Sequence, residues 1–133
     1  MTERDIKILK KIIEKQNELF GMTKDYNINF AGDLSKVHPV VRRGIVAFVA
    51  DIFELTKPLS ESVQAQLPFN NTIIKRFRNT SSHQYGTITD TIAHACLMHC
   101  SDKNIVNAIN KLINDNSITE NPLQRSEQNE TPT

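Results

Sequence analysis

This chain predicts an all-α fold, an up-and-down bundle of about five helices. Three observations lead there. Apolar residues recur at helical spacing along most of its length, prolines and capping residues punctuate that pattern, and no convincing pair of strands interrupts it. Composition agrees: 23% of residues are charged, 38% are hydrophobic, and Trp is absent, so strand-favouring aromatics are sparse. At 133 residues, one domain suffices to bury a core without metal or disulfide staples.

The first helix is expected from Thr2 to about Phe20. Ile6, Leu9, Ile13 and Phe20 keep helical spacing, Thr2 can cap the start with Asp5 completing a capping box, and Gly21 lies near the end. Residues 26–38 mix Asn, Gly, Asp and Ser and read as a connection with at most a short helical turn. Pro39 suits the first turn of a second helix that continues to about Thr56, before Pro58. Its apolar residues form two stripes, Val41, Ile45, Phe48, Ile52 and Leu55 beside Val46, Val49 and Phe53. A helix apolar over that much of its circumference is either central to the bundle or shared between subunits.

Ser60 can cap a short third helix that Pro68 stops, and Asn70 or Asn71 a fourth that turns Ile73, Ile74 and Phe77 inward. A fifth helix runs from about Thr89 through Ile92, Cys96 and His99. It breaks at Ser101-Asp102, where capping chemistry restarts a pattern carrying Ile105, Ile109 and Leu112. Beyond Asn114 only Ile118 and Leu123 are apolar. Residues 1–115 are therefore assigned to the domain and residues 116–133 to a polar tail expected to be mobile.

The net charge of +1 conceals a split. From Asn116 onward Glu120, Glu127 and Glu130 stand against Arg125 alone, a balance of −2 that leaves the body near +3. Such a field is too weak to attract a polyanion by itself, so nucleic-acid binding requires a local patch: Lys75, Arg76 and Arg78, or Arg42 and Arg43. For Arg42 and Arg43 a solvated face is the simpler reading. The polar N-terminus and the short apolar run from Ile45 to Ala50 predict a cytoplasmic protein with no membrane span. Cys96 and Cys100 are expected to be reduced thiols. Together with His94 and His99 they suggest a zinc site, but the two histidines are five apart and do not share the cysteine face, so no metal is expected and the group reads as core and its edge. His38, before Pro39, reads as a capping or surface residue.

The most concentrated chemistry lies in residues 75–85, where Lys75, Arg76, Arg78, Asn79, three hydroxyls, His83 and Tyr85 follow one another. Arg78 and His83 would point apart on an unbroken helix and meet only if the chain bends. Thr80, Ser81 and Ser82, weak helix formers followed by Gly86, make a bend credible. A guanidinium beside an imidazole suits attack on a phosphodiester. The arginine holds nonbridging oxygens and stabilises the charge that grows on them, and the histidine moves the proton. RNA supplies its own nucleophile in the 2′-hydroxyl, so no cofactor is needed. A helix-terminal cluster that only caps backbone groups explains the same residues equally well.

The stretch also resembles a family. Arg78-Asn79, three residues, then His83-x-Tyr85 is similar to the Arg-polar-x-x-x-His signature of HEPN domains, and the tyrosine resembles the HepT-like branch, toxins paired with MNT-type nucleotidyltransferase antitoxins. The order Leu59-Ser60-Glu61, Leu67-Pro68, Ile73-Ile74-x-x-Phe77-Arg78-Asn79 and the opening Glu3-Arg4-Asp5-Ile6 extend the likeness over about residues 3–113. Thr80-Ser81-Ser82 departs from the aliphatic residues common there in the family. The resemblance implies a HEPN-like helical bundle, a homodimer whose two motifs line a shared cleft, and metal-independent endoribonuclease activity on an RNA substrate. It makes Arg78 and His83 the catalytic pair, Asn79 their polar partner, and Tyr85 the residue that a cognate nucleotidyltransferase antitoxin modifies with AMP. Lys75 and Arg76, beside the motif, are expected to bind RNA. The competing expectation is a noncatalytic helical module that dimerises or docks a partner protein.

Overall fold

The computed structural model describes residues 1–81 and 88–119, with side chains for 1–80 and 88–116. Six α-helices fold there: α1 (Glu3–Asp25), α2 (Pro39–Leu55), α3 (Glu61–Gln66), α4 (Asn71–Ser81), α5 (Asp90–Ser101) and α6 (Lys103–Thr119). A 3-10 turn, Ala31–Ser35, interrupts the connection after α1. The fold is all-helical among the described residues. No described helix is long and apolar enough to cross a membrane.

The predicted capping box opens α1. The Asp5 amide donates to Thr2 Oγ1 at 3.0 Å and the Thr2 amide donates to Asp5 Oδ2 at 3.2 Å. Asp5 does more than the sequence suggests. Only 2% exposed, its carboxylate also accepts from the Ser60 amide at 3.0 Å and from Ser60 Oγ at 2.8 Å, tying the start of α1 to the start of α3. Ser60 therefore spends its hydroxyl on Asp5 rather than on capping α3.

Helix α1 does not stop at Gly21; it continues to Asp25, because Met22 and Thr23 still pack inward. The stop is Asn27, whose φ of 55° is left-handed, a conformation Asn tolerates better than most residues. Around it the Ile28 amide donates to the Thr23 carbonyl at 2.9 Å and the Asn27 amide to the Lys24 carbonyl at 3.2 Å, the paired bonds of a Schellman close. Ile28 is then buried.

Helix α2 starts as predicted, with Pro39 in the first turn and the Val40 amide donating to His38 Nδ1 at 3.1 Å. Ile45, Val46, Val49, Ala50, Ile52 and Phe53 are all buried; that covers the whole second stripe and Ile45 and Ile52 of the first, while Val41, Phe48 and Leu55 are partly buried against the same core. It shares the centre with α5, which packs against α1, α2, α4, α6 and the 3-10 turn. Gln64 of α3 donates its amide to the carbonyls of Thr56, Lys57 and Leu59 at 2.8–3.2 Å, satisfying the chain where α2 ends.

Asn70, not Asn71, caps α4, its Oδ1 accepting from the amides of Thr72 and Ile73. Ile74 and Phe77 turn inward, and the Phe77 ring meets Phe53 edge to face with centroids 5.4 Å apart. The predicted break separates α5 from α6: Ser101 closes one helix, and Asp102 Oδ1 accepts from the Asn104 amide to open the next. Helix α6 buries Ile105, Val106, Ile109 and Ile113 and reaches Thr119, into the stretch assigned to the tail. Residues 120–133 lie outside the described residues.

Candidate functional site

Two turns of α4 decide where the polar motif looks. Asn71, Ile74, Lys75 and Arg78 fall at i, i+3, i+4 and i+7, so they share one side of the helix. That side borders a groove of about 790 Å³ between α3 and α4, whose far wall carries Lys57, Glu61 and Gln64. Asn79 lies on the same groove, and Leu67 and Ile74 contribute apolar surface to it. Lys57, Lys75 and Arg78 are cations against the single carboxylate of Glu61, so the groove is net positive although the chain as a whole is close to neutral.

Arg78 is exposed, but it is not unanchored. Its Nη2 lies 3.5 Å from the Phe53 carbonyl, in the last turn of α2. That oxygen also accepts from the Thr56 amide at 3.2 Å and the Thr56 hydroxyl at 2.6 Å. The negative end of the α2 dipole thus sits behind the guanidinium and draws it to the groove wall. Lys57, across the groove, pairs with Glu54 at 2.8 Å, but both side chains are more than half exposed and such pairs are weak.

Arg76, expected to work with Lys75, faces elsewhere. It borders a small pocket of about 50 Å³ with Ile73, Ile92 and Cys96, between α4 and α5. The two cations are successive in sequence, and a helix separates adjacent residues by about 100°. No bend follows Arg78 at once, either. The Thr80 hydroxyl donates back to the carbonyls of Arg76 and Phe77, and α4 continues through Ser81. His83 and Tyr85 lie outside the described residues.

In the α5 cluster Cys96 and Cys100 are core, and His94 and His99 are partly exposed at its edge. Burial pushes the Cys96 thiol up to about 11, against a smaller opposing pull from Arg76, and pushes Cys100 well above the ordinary thiol range. His99 Nε2 accepts from the Asn70 amide at 2.8 Å while its ring meets Phe69 edge to face. Burial holds the His99 imidazole below its ordinary value, against a weaker pull upward from Asp102. No group of three or more His, Cys, Asp or Glu side chains among the described residues is placed to hold a metal ion. Arg42 is neither a solvated cation nor aimed at a groove: it donates to Asp90 and to the Ile88 carbonyl. Arg43 is exposed.

Sequence reasoning missed Lys57, Glu61, Gln64 and Asn71. Counting back from Arg78 by three, four and seven would have found Asn71 beside Lys75. The other three belong to α3 and its approach, which only the tertiary packing brings opposite α4. Comparison with protein-family models, with curated proteins and with solved structures found no match for this chain.

Proposed function

We propose that this chain is a HepT-like endoribonuclease toxin that needs no metal ion and acts as a homodimer of HEPN-like bundles. The observation that carries the reading is the presentation of Arg78: exposed on a cationic groove, backed by a helix end, and one residue away from the buried Phe77 that fixes its helix. In this reading the 2′-oxygen of RNA attacks phosphorus and gives its proton to His83. The P–O5′ bond breaks, a 2′,3′-cyclic phosphate forms, and the departing 5′-oxygen takes a proton from the medium or from the histidine of the second subunit. Arg78 binds the nonbridging oxygens as charge builds on them, and Asn79 donates a further hydrogen bond.

The cognate nucleotidyltransferase would transfer AMP from ATP to the Tyr85 hydroxyl, releasing pyrophosphate. An added nucleotide brings bulk and negative charge beside a groove that works by attracting phosphate. The test is RNA cleavage by purified parent, His83→Ala and Arg78→Ala over a range of pH with chelator present. Cleavage by the parent and its loss in both variants is expected; equal cleavage by all three, or none by any, overturns the reading. Mass spectrometry after co-expression with the partner should find the AMP adduct on Tyr85.

A second reading, a noncatalytic docking or dimerisation module, draws on Phe30 and Val40, which are 73% and 65% exposed. For that module, substituting Phe30 would abolish self-association or partner binding while Arg78→Ala changed nothing.

A further inference from the structure

We propose that the groove between α3 and α4 binds the nucleotide adjoining the scissile one, and binds it as a single strand: Lys75 and Lys57 take its phosphate, and Leu67 and Ile74 take the face of its base. This rests on the ribonuclease reading but adds a path for the strand. Lys75 stands three residues from Arg78, roughly 4.5 Å along the axis, and both side chains are long enough to splay toward the wider step between successive phosphates of a strand. A single phosphate at Arg78 would leave most of the roughly 790 Å³ unfilled, and the excess lies toward α3, where Lys57 supplies the opposing cation.

The walls distinguish a single strand from a duplex. Leu67 is half-buried and supplies most of the apolar surface at the base of the charged groove, to which the largely buried Ile74, 8% exposed, adds an edge. A base can cover that surface only with its face, which is occupied in a stacked duplex and free in a splayed strand. Asn71 and Gln64 offer amides at the rim, although the Gln64 nitrogen is already committed to the α2–α3 connection. Glu61 is the discordant member: a carboxylate where the phosphate would run. It sets an opposite sign for the same measurement.

The experiment is fluorescence anisotropy with a 2′-O-methyl single strand, which lacks the nucleophile and so can be titrated against the intact protein. The parent should bind it in preference to a duplex of the same sequence. The double variant Lys57→Gln, Lys75→Gln, checked for unchanged helicity, should bind on the order of tenfold more weakly at low salt. Its log Kd against log salt should be shallower by about 1.4, two contacts at roughly 0.7 each for single strands. Glu61→Gln should bind more tightly than the parent.

If the parent cleaves RNA while the double variant keeps the parent's affinity and salt slope, the groove assignment is overturned and the ribonuclease reading stands. If binding depends on Lys57 and Lys75 but no RNA is cut, the groove stands and the ribonuclease reading falls. Equal affinity for duplex, or tighter binding of a poly-glutamate peptide than of the strand, overturns the single-strand assignment.

Discussion

Arg42 of α2 holds Asp90 at the start of α5: its Nε and Nη2 both lie 2.8 Å from Asp90 Oδ1, and Nη2 also donates to the Ile88 carbonyl at 2.6 Å. The side chains are 18% and 30% exposed, so water screens the pair only in part. The two residues are 48 apart in sequence, and together they fasten the start of α5 to α2. Arg42→Ala is expected to destabilise the protein by about 1–3 kcal/mol in denaturant unfolding. Arg42→Lys should recover only part of that, because an ammonium cannot reproduce the fork that meets a carboxylate and a carbonyl together. Full recovery by lysine would mean that charge alone matters there.

Asp5 gives a pH dependence with a definite sign. Burial raises its pKa, but the hydrogen bonds from Ser60 and Thr2 together outweigh burial and hold the carboxyl below its ordinary value of 3.8. A group depressed in the folded state contributes stability that is present above its unfolded pKa and is lost as pH falls through the folded one. Asp5→Asn should therefore cost about 2–4 kcal/mol near neutral pH. The gap between variant and parent should narrow as pH falls below 3.8, measured by denaturant titration at several pH values. A gap that stays constant would show that the charge of Asp5 contributes nothing.

Phe77 and Arg78 are neighbours with opposite duties. Phe77 is 3% exposed and packs on Phe53, so Phe77→Ala should lower stability by about 3–5 kcal/mol. Among the described residues Arg78 makes one long contact, to a backbone carbonyl, so Arg78→Ala should change stability by less than about 1 kcal/mol. On the proposed function the same variant should reduce RNA cleavage on the order of 10²-fold or more. Loss of stability in Arg78→Ala comparable with that in Phe77→Ala would place the arginine among structural residues.

The thiols should be slow to react. With Cys96 pushed up to about 11 and Cys100 fully buried, neither carries much thiolate near neutral pH. A thiol-specific disulfide reagent at pH 8 is expected to label both residues only as fast as the fold opens, and at once in denaturant. Rapid labelling of the folded chain would contradict the packing of α5.

Much of this was legible in the chain. Capping residues and prolines are local signals, and Thr2, Pro39, Asn70 and Thr89 mark helix starts within a residue or so of where they fall. Gly21 misled because a glycine inside a helix costs only about 1 kcal/mol, less than its neighbours gain by packing inward. The real stop, Asn27, works through a left-handed backbone that spacing does not reveal. For the site, periodicity joins Lys75 to Arg78 and parts both from Arg76, although sequence adjacency suggested a Lys75-Arg76 pair. The opposite wall was out of reach, because it depends on how α3 is hung from Asp5 and Gln64, contacts spanning up to 55 residues.

Gln16 sits wholly buried on α1 and donates its amide to the Cys100 carbonyl at 2.9 Å, at the elbow between α5 and α6. Its own Oε1 is buried without a hydrogen-bond partner among the described residues, so the contact stabilises less than its geometry suggests. What it does supply is a register. If α1 slid by one turn, the amide would drop among Leu and Ile side chains and the elbow carbonyl would lose its donor. A leucine there would tolerate such sliding, so the glutamine acts as a tooth that lets the bundle close in one setting and penalises its near neighbours.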